Sequence, residues 1–311
     1  MGYDSKVFIA GRSGMVGSAI ERGLVKRGYK NIVGLSSSEL DLRNQNAVDT
    51  FFKMEQPEYV VLAAAKVGGI MANINSPAEF LYDNLMIQNN VIHSAYKYKV
   101  TKLLFLGSSC MYPRLSPQPM QEENLLDGKV EPTNEGYAIA KIAGMKMCEM
   151  YNRQYKTNYM TVLPCNIFGI GDNFHPEKSH VVAGLIRKFH EAKINSLDTV
   201  TVWGTGNARR ELMFSEELAD ACIFLFENYD GIECLNIGTG KDISIRDLAY
   251  LVKKVVGFEG SIDFDTSKPD GMPQKLLDVS KLSAVGYNNR TSLEQGIIAT
   301  YEWFLSNRVG L

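Results

Sequence analysis

Val7-Phe8-Ile9-Ala10-Gly11-Arg12-Ser13-Gly14-Met15-Val16-Gly17 joins a short apolar run to a glycine triplet, and an amphipathic pattern follows without a break. Val16, Ile20, Leu24 and Val25 fall on one face at helical spacing. The stretch therefore predicts a buried strand, a tight turn and a helix over residues 15–27, closed by Gly28 as a C-cap. Working outward, the same alternation repeats. Strands are expected at 31–35, 59–63 and 102–106, and helices at 44–54 and 78–98. Each strand is a near-continuous run of Val, Ile, Leu and Ala, the signature of a parallel sheet covered on both faces. The prediction is an α/β fold with a doubly wound parallel sheet of the Rossmann kind, whose ligands belong at the carboxyl ends of its strands.

The second half changes texture. A helix at 135–155 and a strand at 159–164 are followed by a Gly/Asp/Asn/Pro-rich loop at 169–177 and a helix at 181–192. Short strands at 199–203, 233–237 and 261–264 then alternate with helices at 215–228, 244–256 and 292–305. This irregular part reads as a smaller C-terminal α/β substrate domain. The expected division is 1–168 for the dinucleotide-binding domain, with some later segments returning to it, and 169–311 mainly for the substrate domain.

Composition narrows the class. The 311 residues carry 33 Lys and Arg against 35 Asp and Glu, a formal charge of −2, so nucleic acid and anionic membranes are not expected partners. No apolar stretch approaches the length of about 20 residues that spans a bilayer, and the first strand starts too early for a signal peptide. Cysteines stand at 110, 148, 165, 222 and 234. Their odd number and the lack of any CxxC match neither a disulfide scaffold nor a zinc site. Free thiols, no metal and a cytoplasmic protein are expected.

Placed between a strand and a helix, the turn from Gly11 through Arg12, Ser13, Gly14, Met15 and Val16 to Gly17 reads as a pyrophosphate cradle. Glycine lets the backbone approach the anion, and the helix N-terminus offers free N–H groups and a favourable dipole. An NAD site usually has a carboxylate closing the second strand, whereas Gly34-Leu35-Ser36-Ser37 has none. Ser36, Ser37 and Arg12 suit a 2′-phosphate better, which favours NADP(H). Asp41 reads either as a contact to the adenine edge or as a cap before the next helix.

Gly107-Ser108-Ser109-Cys110 directly follows the fourth strand. Tyr137 and Lys141 are four apart on a predicted helix and so share a face. A cation within a few Å favours the phenolate, which would make Tyr137 a proton donor or acceptor near neutral pH. Ser108 can hydrogen-bond the same substrate oxygen. Alone, Cys110 reads as a small buried hydrophobe and His180 as a satisfied loop or helix-cap residue.

The order GxxGxxG, strand-end Ser, YxxxK resembles the extended short-chain dehydrogenase/reductases, in the branch acting on sugar nucleotides. Further segments carry the likeness along the whole chain: Ala63 to Ile70 (AAAKVGGI), Leu106 to Pro113 (LGSSCMYP), Pro132 to Lys141 (PTNEGYAIAK), Asp172 to His175 (DNFH), Val202 to Arg210 (VWGTGNARR) and Ser267 to Gly271 (SKPDG). The resemblance implies NADPH-dependent conversion of GDP-4-keto-6-deoxy-D-mannose to GDP-L-fucose, by 3,5-epimerisation and then 4-keto reduction. It gives Cys110 and His180 the roles of base and acid, and Ser108, Tyr137 and Lys141 the reductive step. Leu106, Gly107, Ser109, Pro164, Cys165, Asn166, Ile167 and His180 would face the cofactor. Lys188, Trp203, Arg210 and Asp270 would face the substrate, with Trp203 either stacking or packing in the core. A homodimer through the two long helices is implied as well. The chain departs from the pattern at three places: Leu35 and Ser37 stand where some relatives have Arg, Cys165 replaces a Thr, and Ile170-Gly171 replaces a Pro-His pair. Two alternatives stay open. One is another sugar-nucleotide epimerase or 4,6-dehydratase, and the other is a non-catalytic NADP-sensing protein.

Overall fold

The opening strand is buried at every position, because it lies in the middle of a sheet with helices on both sides. In the computed structural model, which describes residues 1–176, 179–268, 270 and 272–307, β1 (Val7–Ala10) leads into α1 (Met15–Lys26), β2 (Ile32–Val33), α2 (Gln45–Glu55) and β3 (Tyr59–Leu62). Then come a short α3 (Ile70–Asn75), the long α4 (Pro77–Lys97), β4 (Lys102–Leu106), the long α5 (Glu135–Tyr155) and β5 (Tyr159–Pro164). Pro269 and Gly271 of the SKPDG segment, and Glu177 at the end of the expected 169–177 loop, lie outside the described residues.

The strand order of the main sheet is β2-β1-β3-β4-β5, closed at the far edge by a sixth strand, all parallel. That sixth strand comes from much later in the chain. After β6 (Asn166–Phe168), α6 (Val181–Ile194), β7 (Thr199–Trp203), β8 (Arg209–Phe214) and α7 (Ser215–Asn228), the chain returns as β9 (Leu235–Ile237) beside β5. It continues through β10 (Asp242–Ser244), α8 (Ile245–Val256), β11 (Ser261–Asp265), β12 (Gln274–Lys275), α9 (Ser280–Ala284) and α10 (Leu293–Asn307). β8 collects β6, β10 and β12 around it, while β7 and β11 form a separate parallel pair.

Two apolar cores result. One surrounds the main sheet and takes in late residues such as Met213, Leu218, Cys222, Ile237 and Leu277. The other packs Phe168 and Phe174 with α6, α8 and α10 through Ile186, Phe189, Leu248, Val252 and Phe304.

Three differences from the sequence reading have physical causes. β2 is two residues long instead of five, because it is an edge strand with β1 as its sole partner. At Gly34 an added Cβ would stand 2.7 Å from Arg12 Cδ, so the Arg12 side chain occupies the space where the strand would continue. β8 begins with Arg209-Arg210-Glu211, a polar opening that hides a strand. Glu211 is nevertheless fully buried, because its carboxylate accepts backbone N–H bonds from Thr239 at 2.6 Å, Gly240 at 2.7 Å and Leu277 at 2.8 Å. The short helices α3 and α9 fall in stretches to which the sequence reading assigns no element.

Candidate active site

The first turn has the close backbone approach that its glycines imply. Gly11 has φ +91°, and a Cβ there would stand 2.6 Å from the Ala64 nitrogen. A Cβ on Gly17 would lie 2.1 Å from the Gly11 carbonyl oxygen. Gly14 is the N-cap of α1, with no side-chain cap and no acidic residue in the first turn. Among the described residues no side chain caps the positive end of this helix, so the cradle fits a dinucleotide pyrophosphate.

At the expected adenosine end the side chains are engaged with one another. Arg12 forks onto Glu21, donating from Nε at 2.7 Å and from Nη2, and reaches the Gly34 carbonyl at 3.4 Å. Its hydrogen bonds to Glu21 raise the guanidinium pKa. Ser36 donates to Glu39 from its backbone at 2.8 Å and its hydroxyl at 2.6 Å. A carboxylate therefore does approach the end of β2, supplied three residues late by Glu39. Ser37 is exposed. Asp41 is held by Arg43, which also reaches Asp83 at 3.3 Å. A groove of about 740 Å³ runs between β2 and α2, lined by Arg12, Gly34, Leu35, Glu39, Asn44 and Phe51 among others. It lies at the sheet edge and includes none of the groups at the end of β4.

Those groups converge as expected. α5 seats hard on the sheet: a Cβ on Gly144 would come within 2.5 Å of the Phe105 ring, and Gln88 of α4 donates to the Ala140 carbonyl at 2.6 Å. This fixes Tyr137 and Lys141 beside the β4 terminus. Buried Lys141 donates to the Leu106 carbonyl at 2.7 Å, with Nζ 4.8 Å from the Phe105 ring centre and 5.9 Å from that of Tyr137. Gly107 leads to Ser108, whose hydroxyl accepts the Cys110 N–H at 3.1 Å. Ser109 is buried. Cys110 sits in a short 3₁₀ turn, Ser109–Met111. Its sulfur lies 3.5 Å from Lys275 Nζ.

The electrostatics differ from the sequence expectation for Tyr137. Burial pushes its phenol well above the ordinary value and the neighbouring Cys110 adds to that, while a hydrogen bond with Ser108 opposes. Burial also lowers Lys141 to about 7. The ammonium is spent on the Leu106 carbonyl, and in the protein alone burial dominates at the phenol. Tyr137 is therefore kept protonated, the state a proton donor needs. Burial on its own would raise the Cys110 thiol, but the Lys275 charge and hydrogen bonds with Ser108, Lys275 and Asn134 outweigh it and bring the thiol below its ordinary value.

Next along the sheet, Pro164 ends β5 and Cys165 is buried, its thiol pushed well up by desolvation and by Glu211. Asn166 and Ile167 belong to β6, with the Asn166 amide donating to the Glu211 carbonyl at 3.2 Å. His180 is the N-cap of α6 and is exposed; the protein around its ring still lowers its pKa by desolvation. Among the described residues no hydrogen bond joins His180 to the Ser108, Cys110 and Tyr137 group.

The expected substrate residues cluster around β7 and β8. Trp203 is 63% exposed, so it is not a core residue. It stands between Lys188 Nζ, 5.5 Å from a ring centre, and Lys268 Nζ, 5.7 Å away. Lys188 also donates to the Thr201 carbonyl at 3.1 Å. Arg210 donates from Nη1 to the carbonyls of Arg209 at 2.7 Å and Met272 at 2.6 Å. Asp270 accepts from the Thr205 N–H and hydroxyl, both at 2.7 Å, so it clamps the Trp203–Arg210 loop and keeps lone pairs to spare.

Sequence reasoning missed Lys275, Asn134 and Glu39. Lys275 lies 165 residues from Cys110 in the chain, and no local spacing announces that contact. Among the described residues no group of His, Cys, Asp and Glu is arranged to hold a metal, and no helix is long and apolar enough to cross a membrane.

A GDP-L-fucose synthase of Arabidopsis thaliana is 54% identical over 97% of this chain and 94% of its own length. The GDP-L-fucose synthase of Escherichia coli strain K12 is 51% identical over 97% of both chains. A GDP-L-fucose synthetase from Naegleria fowleri, solved bound to NADP, superposes with a TM-score of 0.94 at 31% identity, covering 100% of this chain and 95% of that one. Residues 7–238 match the model of a family described as NAD dependent epimerase/dehydratase. That match runs from β1 through β9 and takes in the glycine cradle, the Ser108–Cys110 turn, and Tyr137 and Lys141; the chain belongs to the NAD dependent epimerase/dehydratase family.

Proposed function

We propose that this protein converts GDP-4-keto-6-deoxy-D-mannose to GDP-L-fucose, epimerising C3 and C5 and then reducing the C4 ketone with NADPH. The observation that carries the reading is the meeting of a thiol and a phenol at one strand end: Cys110, its sulfur 3.5 Å from Lys275 Nζ and its N–H on the Ser108 hydroxyl, and Tyr137, whose phenol hydrogen-bonds the same Ser108. A reductase alone needs the phenol; a thiol poised as a base adds C–H proton chemistry. The relatives that are 51% and 54% identical over nearly the whole chain support the same activity.

NADP(H) would lie against Gly11–Gly17, with Arg12, Ser36, Ser37 and Asp41 at the adenosine end and residues 106–109 and 164–167 at the nicotinamide end. When bound it supplies the hydride for C4. The chain's own residues do the rest. The C4 ketone acidifies the protons at C3 and C5, and the Cys110 thiolate removes one, the C–H electrons moving to the C4 oxygen as an enolate. Ser108 and Tyr137 donate hydrogen bonds to that oxygen. His180, at the start of α6, returns a proton to carbon from the other face. In the reduction Tyr137 gives its proton to the C4 oxygen, and Lys141, one helical turn away with Nζ 5.9 Å from the Tyr137 ring centre, places positive charge beside it. Lys188 and Arg210 supply positive charge for the diphosphate. Exposed Trp203 offers a flat face to the ligand, and Asp270 keeps its loop closed.

The division into 1–168, with some later segments returning to it, and 169–311 mainly for the substrate, the homodimer through α4 and α5, the cytoplasmic location and the absence of nucleic-acid or membrane partners belong to the same proposal. Absorbance near 340 nm tests it. With purified protein and GDP-4-keto-6-deoxy-D-mannose, the signal of reduced nicotinamide falls stoichiometrically with substrate. No loss of that signal overturns the reductase assignment.

A further inference from the structure

Lys275 takes no part in the proton transfers at carbon or at the C4 oxygen, yet its ammonium is in direct contact with the Cys110 thiol. It ends β12, the strand that follows the Asp270 segment and pairs in parallel with β8, setting Lys275 opposite Arg210. From there its ammonium reaches across to the β4 terminus and donates to Cys110 Sγ at 3.5 Å. Among the described residues, Ser108 and Asn134 also hydrogen-bond the sulfur, and the neutral Tyr137 phenol lies close to it. Lys141 is turned away to the Leu106 carbonyl.

We propose that Lys275 is a positioning residue that holds Cys110 as a thiolate, ready to take a proton from carbon. The inference rests on Cys110 being the epimerisation base. A thiol in a largely desolvated position otherwise stays protonated, and a protonated thiol cannot accept the substrate proton. A cation in direct contact reverses that balance. The step balances simply: the C–H bond breaks, its electrons pass to the C4 oxygen, and the new S–H bond discharges the thiolate, leaving Lys275 to welcome the negative charge when it returns. The placement also links the two halves of the molecule. β12 carries Lys275, and the Met272 carbonyl just before it accepts from Arg210, so seating a diphosphate at Arg210 also fixes the strand that aims the ammonium.

Alkylation of the free enzyme tests this without substrate. Iodoacetamide labelling of Cys110 is followed by peptide mass spectrometry from pH 5 to 10 in wild type, K275Q and K275R. Wild type should titrate below the ordinary cysteine pKa of about 8.5. K275Q should titrate higher, lowering its pH 7 thiolate fraction by about 10- to 1,000-fold. K275R, which keeps the charge, should track wild type. Labelling of buried Cys148 and Cys222 reports loss of fold, in which case wild type and K275R decide. A wild-type midpoint at or above 8.5, or a K275Q profile superimposable on wild type, overturns the proposal. Failure of the functional reading looks different: C3 and C5 exchange would then be absent in wild type although Cys110 labels with the low-pH profile.

Discussion

Lys141→Met should make the protein more stable at neutral pH while removing its reductase activity. Lys141 is buried, and its pKa falls from 10.5 to about 7 because the site strips water from the ammonium. At pH 7 that depression costs the folded state about 4 kcal/mol. Methionine fills a similar volume without the charge. It forfeits the hydrogen bond to the Leu106 carbonyl, about 1 kcal/mol, and the contact with the Phe105 ring, about 1 kcal/mol. The variant should therefore be about 2 kcal/mol more stable at pH 7. The folded-state pKa lies below the unfolded one, so between pH 7 and 10.5 the unfolded chain holds more protons and wild-type stability gains from this group as pH rises. The advantage of the variant shrinks across that window, crosses zero near about pH 9 and reverses by about pH 10. Urea unfolding of both proteins at pH 7, 8.5 and 10, compared at equal m-values, measures it. A variant less stable at pH 7, or a difference that does not change with pH, would refute the reasoning.

Three other outcomes follow from the same geometry. Tyr137→Phe removes the proton donor, so NADPH oxidation at 340 nm should fall by about 10²- to 10⁴-fold while C3 and C5 proton exchange persists. Gly17→Ala would drive a methyl to 2.1 Å from the Gly11 carbonyl oxygen; NADPH affinity, read by fluorescence titration, should fall by at least about 100-fold because the cradle must open. Lys102→Met strips the carbonyls of Leu225, Phe226 and Tyr229 at the end of α7 of their shared donor, and urea unfolding should show a loss of about 2 kcal/mol.

Where local pattern decides local structure, the chain was readable. The β1–turn–α1 unit is legible because its apolar run, glycines and helical stripe are contiguous, and Tyr137 and Lys141 are legible because one helix turn puts them on one face. The irregular half resisted for a common reason: its polar residues are satisfied by distant partners. Arg209-Arg210-Glu211 does not look like a strand until Glu211 is seen taking N–H bonds from residues 239, 240 and 277. The carboxylate near the end of β2 was missed because Glu39 folds back onto Ser36. The phenol's electrostatics were misjudged because residue spacing reports proximity, whereas desolvation depends on everything packed around the site.

We propose that one site first moves protons at carbon through Cys110 and then reduces through Tyr137. Deuterium incorporation at C3 and C5 of GDP-4-keto-6-deoxy-D-mannose in D₂O, compared between wild type and Cys110→Ser, addresses it most directly. Label should appear at both carbons with wild type and at neither above background with the variant. Normal incorporation by Cys110→Ser would contradict it.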